Sequence, residues 1–491
     1  MATIGSARAP RLWRLVALVA AIGVAMVLVV LLARGGRKDD PDPVAGTARI
    51  VVDRPGRTVP RSFLGLSVEW DTLGAYAGHR PAALLALLAP LRQAAGSPLR
   101  LRVGGDSADQ AWWNPGGREP KPPTVLQNLG PGTLDDVAWL ARGLGGPVSL
   151  GVNLALRDPS NAVALIRAAR RELPPGSLAG IEIGNEPDFY TRGRTFVRGG
   201  HVHRRLTKFA RYTLADYARD AGTYLRALQP VAGGAALTVA GFAAPAWWPA
   251  LPAMLHQWGG RAGALAAHLY AEPNCEAPTP KASWLAGRAS SRTRVASLRP
   301  LLRIGREEHL PVNVSELNTF ACGGRPGLSN RPVAALWTAD TLMALARAGV
   351  HSATLHTWAG AAYAPFVVHR DGRVTGRPPL TGMLAFARAA PSGSHVVRTI
   401  TTGAVRGGST VDRDGTARLL LITRRQATAT IRVTHAGSTT ARRTGCATAW
   451  QAPPSGRPRT SRVCPGANGT LSLSMPATSL AVVTIPHATA V

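Results

Sequence analysis

At 491 residues, with 45% apolar and 17% charged side chains, the chain carries enough apolar surface for one large core and a second domain, which excludes a disordered polymer. Lys and Arg number 57 against 27 Asp and Glu, a net charge of +30. Arginine is nevertheless spread along the chain, and no zinc-finger, helix-turn-helix or RNA-binding signature gathers it, so nucleic acid is not an expected partner. The charge suits acidic polymers instead, uronic-acid polysaccharides and anionic envelope surfaces among them.

A basic segment, residues 1–12, precedes a mostly apolar run at 13–33, "WRLVALVAAIGVAMVLVVLLA". At 1.5 Å rise per residue this run matches roughly the 30 Å of a bilayer core. It is long and lacks a small-x-small cleavage site, so an uncleaved membrane anchor is expected over a cleaved signal peptide, whose removal would give a secreted protein. Three basic residues flank each side (Arg8, Arg11, Arg14; Arg34, Arg37, Lys38), so charge bias does not orient the span. The four cysteines, Cys275 and Cys322 in one group, Cys446 and Cys464 in another, lack metal-ligand spacing and suit two disulfides. That places the main body outside the cytoplasm.

Residues 34–46 form a charged, Pro- and Gly-bearing linker, and 47–60 hold a short strand, "ARIVVD". From 61 to 392 apolar strands alternate with amphipathic helices. Strands are predicted at 62–70, 99–105, 147–156, 181–187, 236–243, 263–270, 311–320 and 351–358, with helices such as 81–95, 160–173, 214–228 and 332–348 between them. Eight such units predict a (β/α)8 barrel; a doubly wound sheet is the rival, weakened by the lack of a Gly-rich GxGxxG after the first strand. Residues 393–491 change to short β-prone runs broken by turns, which predicts an antiparallel β-sandwich that the strand near Ile50 joins.

In such a barrel, chemistry sits at the C-terminal ends of the strands. Those positions carry Glu69, Asp106 and Asp109, Asn153, Asn185 with Glu186, His268 with Tyr270, Glu316 with Asn318, and His356 with Trp358. Glu186 ends "IEIGNEP" and Glu316 lies in "PVNVSELNTF", so each follows residues that should be buried, where a lone carboxylate costs several kcal/mol. On the fourth and seventh strands they face one another across the barrel mouth. Opposed carboxylates are what glycosidic cleavage needs, one to protonate the leaving oxygen and one to attack the anomeric carbon. No His-rich triad accompanies them, so neither a metal nor another cofactor is expected.

The pattern resembles the retaining glycoside hydrolases of clan A. It is most similar to family 79, the heparanase and β-glucuronidase family, through "LRVGGDSADQAWW" (101–113), "GVNLALRDPSNA" (151–162), "IEIGNEPDFY" (181–190), "HLY" (268–270) and "SELNTF" (315–320). The resemblance covers about residues 46–490 and implies Glu186 as acid/base and Glu316 as nucleophile. It further implies Asn185 as donor to the sugar 2-hydroxyl and Tyr270 as hydrogen-bond donor to Glu316, with Asn153, Asp106, Glu69, Trp358 and His268 as further sugar contacts. Cys275 and Cys322 follow the sixth and seventh strands and are expected to pair, as are Cys446 and Cys464. The expected function is β-glucuronidase action on acidic glycans, the uronate carboxylate being read by groups around the seventh- and eighth-strand loops such as "ACGGRPG" (321–327). The alternatives are a glucosidase- or xylosidase-like member of the clan and a catalytically silent carbohydrate-binding envelope protein.

Overall fold

A computed structural model describes residues 42–488, apart from 53–55, 193, 199–200, 206–208, 276 and 436–443. The expected anchor at 13–33 lies outside the described residues, and no described helix is long and apolar enough to cross a membrane. The main body begins with strand β1 (Val44–Val51). It starts inside the segment expected to be linker, because Ala48 and Ile50 drive their side chains into an apolar core and the pairing continues past them.

The barrel is built from β2 (Leu64–Glu69), β3 (Leu99–Gly104), β4 (Gly145–Val152), β5 (Leu178–Ile183), β6 (Ala236–Val239), β7 (Ala264–Glu272), β8 (Val312–Phe320) and β9 (Ser352–Thr357). Every neighbouring pair is parallel and β9 closes onto β2, so the strands run round the barrel in chain order. All eight strands fall within the predicted segments or within a few residues of their ends.

The wall helices include α1 (Ala82–Ala95), α2 (Pro131–Leu144), α3 (Pro159–Glu172), α4 (Leu214–Leu228), α5 (Leu251–Gln257), α6 (Arg299–Glu307), α7 (Pro332–Ala348) and α8 (Pro378–Ala389). Local chemistry fixes their starts. Asp158 accepts from the amides of Ser160 and Asn161 ahead of α3, and Thr213 and Asp216 exchange hydrogen bonds in a capping box at the head of α4.

Strands β10 (His395–Gly403), β11 (Val405–Val411), β12 (Ala417–Thr423), β13 (Ala427–Thr434), β14 (Ala447–Ala452), β15 (Arg459–Val463), β16 (Leu471–Met475) and β17 (Ser479–Ile485) complete the C-terminal domain. The hydrogen-bonded order is β15-β14-β17-β12-β11-β10-β1-β13-β16. β10 turns the corner between the two halves: His395–Val397 pair with β11 and Arg398–Gly403 pair with β1. The expected antiparallel pattern has one exception, β1, which runs parallel to β13 because it arrives from the far end of the chain. Ile50, Leu419, Leu421, Ile431 and Val483 fill the interior, while Leu420, Ile422, Leu480 and Val482 on the outer face join the barrel core beneath α7 and α8. Both expected disulfides are present, Cys275–Cys322 and Cys446–Cys464.

Candidate active site

A cavity of about 430 Å³ opens at the C-terminal ends of the barrel strands, with Glu69, Asp106, Glu186, His268, Tyr270, Glu316 and Trp358 in its wall. The turn that delivers Glu186 is held from three sides. After β5, Gly184 takes φ +73°, where a Cβ would stand 2.7 Å from the Tyr190 hydroxyl, and Glu186 itself adopts the left-handed region at φ +46°. A non-glycine residue there stores about 1–3 kcal/mol of strain and persists only where its surroundings hold it in place.

Those surroundings are on hand. The Asn185 amide and the Tyr190 hydroxyl donate to Asp109 Oδ2 at 2.8 and 2.7 Å, while the amides of Leu154 and Ala155 donate to Oδ1 at 2.9 and 3.2 Å. The Glu186 amide donates to the Gly241 carbonyl at 2.8 Å. Asp188 accepts from the amides of Ala243 and Ala244, each at 3.0 Å, and its burial beside the Glu186 charge pushes its carboxyl up to about 6.

Glu316 rises from β8 into a polar network that fills the upper barrel. Its Oε2 accepts from the Tyr270 hydroxyl at 2.7 Å and its Oε1 from Arg102 Nη1 at 2.9 Å. Arg102, on β3 and 2% exposed, also reaches Glu182 Oε2 (2.7 Å), Ser67 Oγ (3.0 Å) and Asn185 Oδ1 (3.2 Å). Burial opposes the charge on Glu316, but His268, His356, Arg102 and the Tyr270 hydroxyl outweigh it and hold the carboxyl well below the usual range. These partners favour the carboxylate form of Glu316.

His268 joins the two acids. Its Nδ1 lies 2.9 Å from Glu186 Oε1 and 3.7 Å from Glu316 Oε2. Burial pulls the imidazole down, yet the Glu316 and Glu186 carboxylates raise it to about 9, so the ring is cationic at neutral pH. One oxygen of Glu186, one of Glu316 and this nitrogen all lie within 4.8 Å of one another. Glu69, Glu316 and His356 form a second cluster of the same tightness. Either set has ligand types that a cation accepts, but the Arg102 guanidinium against Glu316 and the His268 imidazolium already supply positive charge there.

Other expected site residues divide. Glu69, Asp106, His268, Tyr270 and Trp358 line the cavity. Glu69 is engaged: it accepts from the Ser107 hydroxyl and amide and from the Asp106 amide, and lies 3.3 Å from His356 Nε2. Gly105, at φ +88°, permits this, since a Cβ there would sit 2.3 Å from the Glu69 carboxylate. Asn185 lies just beneath the wall, its Nδ2 donating to Asp106 Oδ1 at 3.2 Å. Asn153 is turned away from the cavity wall: its amide donates to the Ala111 carbonyl and accepts from the Leu156 amide, shaping the loop after β4. Arg325 of the "ACGGRPG" loop also points elsewhere, donating to the carbonyls of Cys275 and Ala277. The Cys275–Cys322 bond ties the loops after β7 and β8 together at the cavity rim, both cysteines lining it.

Two participants were not singled out from the sequence, Arg102 and Arg192, whereas His356 stood among the expected strand-end positions and lines the cavity. Arg192 lines the cavity at its mouth, its guanidinium 4.5 Å from the Phe189 ring centroid. The signal for Arg102 was its spacing, two residues before the Gly-Gly that ends β3, on the strand face that points into the barrel.

No protein-family model matches the sequence, and no curated protein matches it. Solved structures do match. A 4-O-α-L-rhamnosyl-β-D-glucuronidase from Fusarium oxysporum superposes with a TM-score of 0.66 at 18% identity, covering 89% of this chain and 100% of that one. A family 51 arabinofuranosidase from Xanthomonas axonopodis pv. citri gives 0.68 at 15% identity over 90% and 100%. A family 44 xyloglucanase from Paenibacillus polymyxa gives 0.62 at 8% over 90% and 99%. The chain thus has the barrel-and-sheet fold of glycoside hydrolases.

Proposed function

We propose that the protein is a retaining β-glycoside hydrolase whose substrates end in a uronic acid. The observation that carries the reading is the separation of the two acids. Double displacement needs the second carboxylate close enough to attack the anomeric carbon itself, whereas inversion needs room for a water between the two acids; here one oxygen of Glu186 lies within 4.8 Å of one of Glu316, a close approach that favours the first. Glu316, kept ionised, would attack the anomeric carbon while Glu186 passes to the leaving oxygen the proton it shares with the His268 imidazolium across their 2.9 Å contact. Glu186 would then take a proton from the water that releases the sugar. Tyr270 and Arg102 hydrogen-bond one oxygen each of the nucleophile and hold it in place.

The uronate assignment is supported by Arg192, the one lysine or arginine that lines the cavity among the described residues. It offers a guanidinium for a sugar carboxylate, beside Ala321 and Cys322 of the loop first expected to read that group, which line the same cavity. The two disulfides support an extracytoplasmic location, and the apolar run at 13–33 supports a membrane anchor. The test is a panel of aryl glycosides offered to the full-length protein: β-glucuronide, β-glucoside, β-xyloside and, because arabinofuranosidases share the fold, α-arabinofuranoside. Preferential turnover of the glucuronide supports the reading, turnover of a neutral sugar alone overturns the substrate, and no turnover of any favours a silent glycan-binding protein.

A further inference from the structure

A second cavity, of about 720 Å³, lies where the C-terminal domain meets the barrel, with Arg388, Asp412, Arg413, Arg418, Trp450 and Thr484 in its wall. It shares no lining residue with the catalytic cavity. α1 ends here just before β3 begins, and Arg388 sits in the last turn of α8, so the cavity opens beside the N-terminal ends of the barrel strands, away from the mouth.

One wall is a single sheet face. Thr448 of β14 stands opposite Thr484 of β17, Trp450 opposite Val482, Arg418 of β12 opposite Thr484, and Thr460 of β15 opposite Trp450. Residues directly opposite in a ladder project on one side, so an indole, three hydroxyls and a guanidinium share this face.

Its charges are unequal. Arg418 is neutralised by Asp412, to whose Oδ2 it donates from Nε at 3.0 Å and Nη2 at 2.8 Å. Arg388 is not: its guanidinium lies 5.2 Å from the Trp450 ring centroid, its Nε is buried without a hydrogen-bond partner, and no described carboxylate pairs with it. A guanidinium left in this state is poorly satisfied, and an oxyanion in the cavity would supply the missing partner. The exposed Arg413 adds a second positive charge.

A bare anion would need only the guanidinium. The hydroxyls and a volume within the range of about 300–1,000 Å³ typical of ligand sites accommodate a ring as well. We propose that this junction cleft is a second, non-catalytic binding site for a carboxylate-bearing saccharide, which holds the enzyme on an acidic glycan while the barrel mouth acts elsewhere along it. The saccharide class rests on the glycosidase reading, and the acidic character rests on Arg388 alone.

The test titrates the full-length Glu316→Gln protein, in detergent, with a glucuronic-acid tetrasaccharide, a neutral glucose tetrasaccharide and inorganic phosphate. Arg388→Met keeps the stem over Trp450 and removes the charge. A binding event for the acidic tetrasaccharide that weakens at least tenfold in Arg388→Met is expected. With Glu316 intact, Arg388→Met should leave turnover of the preferred aryl glycoside within twofold. If Arg388→Met fails to fold, Thr448→Glu, on an exposed strand position, places a repelling carboxylate in the cleft and should weaken the same event. Binding indifferent to these substitutions overturns the proposal, as does equal binding of the neutral tetrasaccharide or of phosphate. An Arg388-dependent event in a protein that cleaves no glycoside would leave this site standing and sink the catalytic reading instead.

Discussion

At the scale of single residues, catalysis depends on charges held inside the barrel. Glu316→Gln removes the attacking oxygen and should lower kcat by several orders of magnitude, read with the preferred aryl glycoside. Glu186→Ala should retain turnover of activated aryl glycosides and gain rate with added azide, because a good leaving group needs no proton; the opposite pattern would mean that the two roles are exchanged. Arg102 ties Glu182 to Glu316 and is almost wholly buried. Its replacement by Met leaves two buried carboxylates without their partner and should cost about 3–5 kcal/mol, measured as a fall in the denaturant midpoint. His268 titrates near 9 when folded, against 6.5 when unfolded. A raised folded value contributes stability that is complete below pH 6.5 and disappears as pH climbs through 9, so the melting temperature should fall over that window, and should not in His268→Gln. Glu186 and Glu316 were legible because each follows strand-forming residues where a carboxylate has no structural reason to be. Arg102 was not: within a strand that alternates apolar and polar, a charged residue reads as facing water, and only barrel closure turns that face inward.

At the scale of elements, the catalytic rim is two loops and a disulfide. Cys275–Cys322 closes a segment with a sequence separation of 47 between the ends of β7 and β8. By chain entropy a loop of this size is worth about 4 kcal/mol. The Cys275→Ser, Cys322→Ser double variant should therefore melt lower and, because both residues line the cavity, should raise KM more than it lowers kcat. Equal melting with and without reductant would contradict this. Strand and helix positions were readable from periodicity to within a few residues. The fate of Asn153 was not, since its amide is consumed by the loop after β4, a contact set by the path of the chain around Ala111 and Leu156.

At the scale of the whole molecule, the C-terminal domain is completed by the first described strand. β1 bridges β10 and β13, and Ile50 is fully buried between them. Ile50→Ala should cost about 2–5 kcal/mol although it lies far from the catalytic cavity in sequence and space, seen as a shift in unfolding midpoint with turnover at low temperature unchanged. The barrel followed by a sheet domain was legible from the change in rhythm near residue 394, and the docking of β1 from its isolated apolar pattern. Its parallel pairing with β13 was not, because strand direction within a sheet is decided by distant parts of the chain. The central claim, that Glu316 forms the glycosyl-enzyme while Glu186 moves the proton, has a direct measurement: peptide mass mapping after incubation with the 2-deoxy-2-fluoro analogue of the preferred glycoside. One sugar adduct is expected on the peptide carrying Glu316; an adduct on the Glu186 peptide, or none together with a product of inverted anomeric configuration, would rule the assignment out.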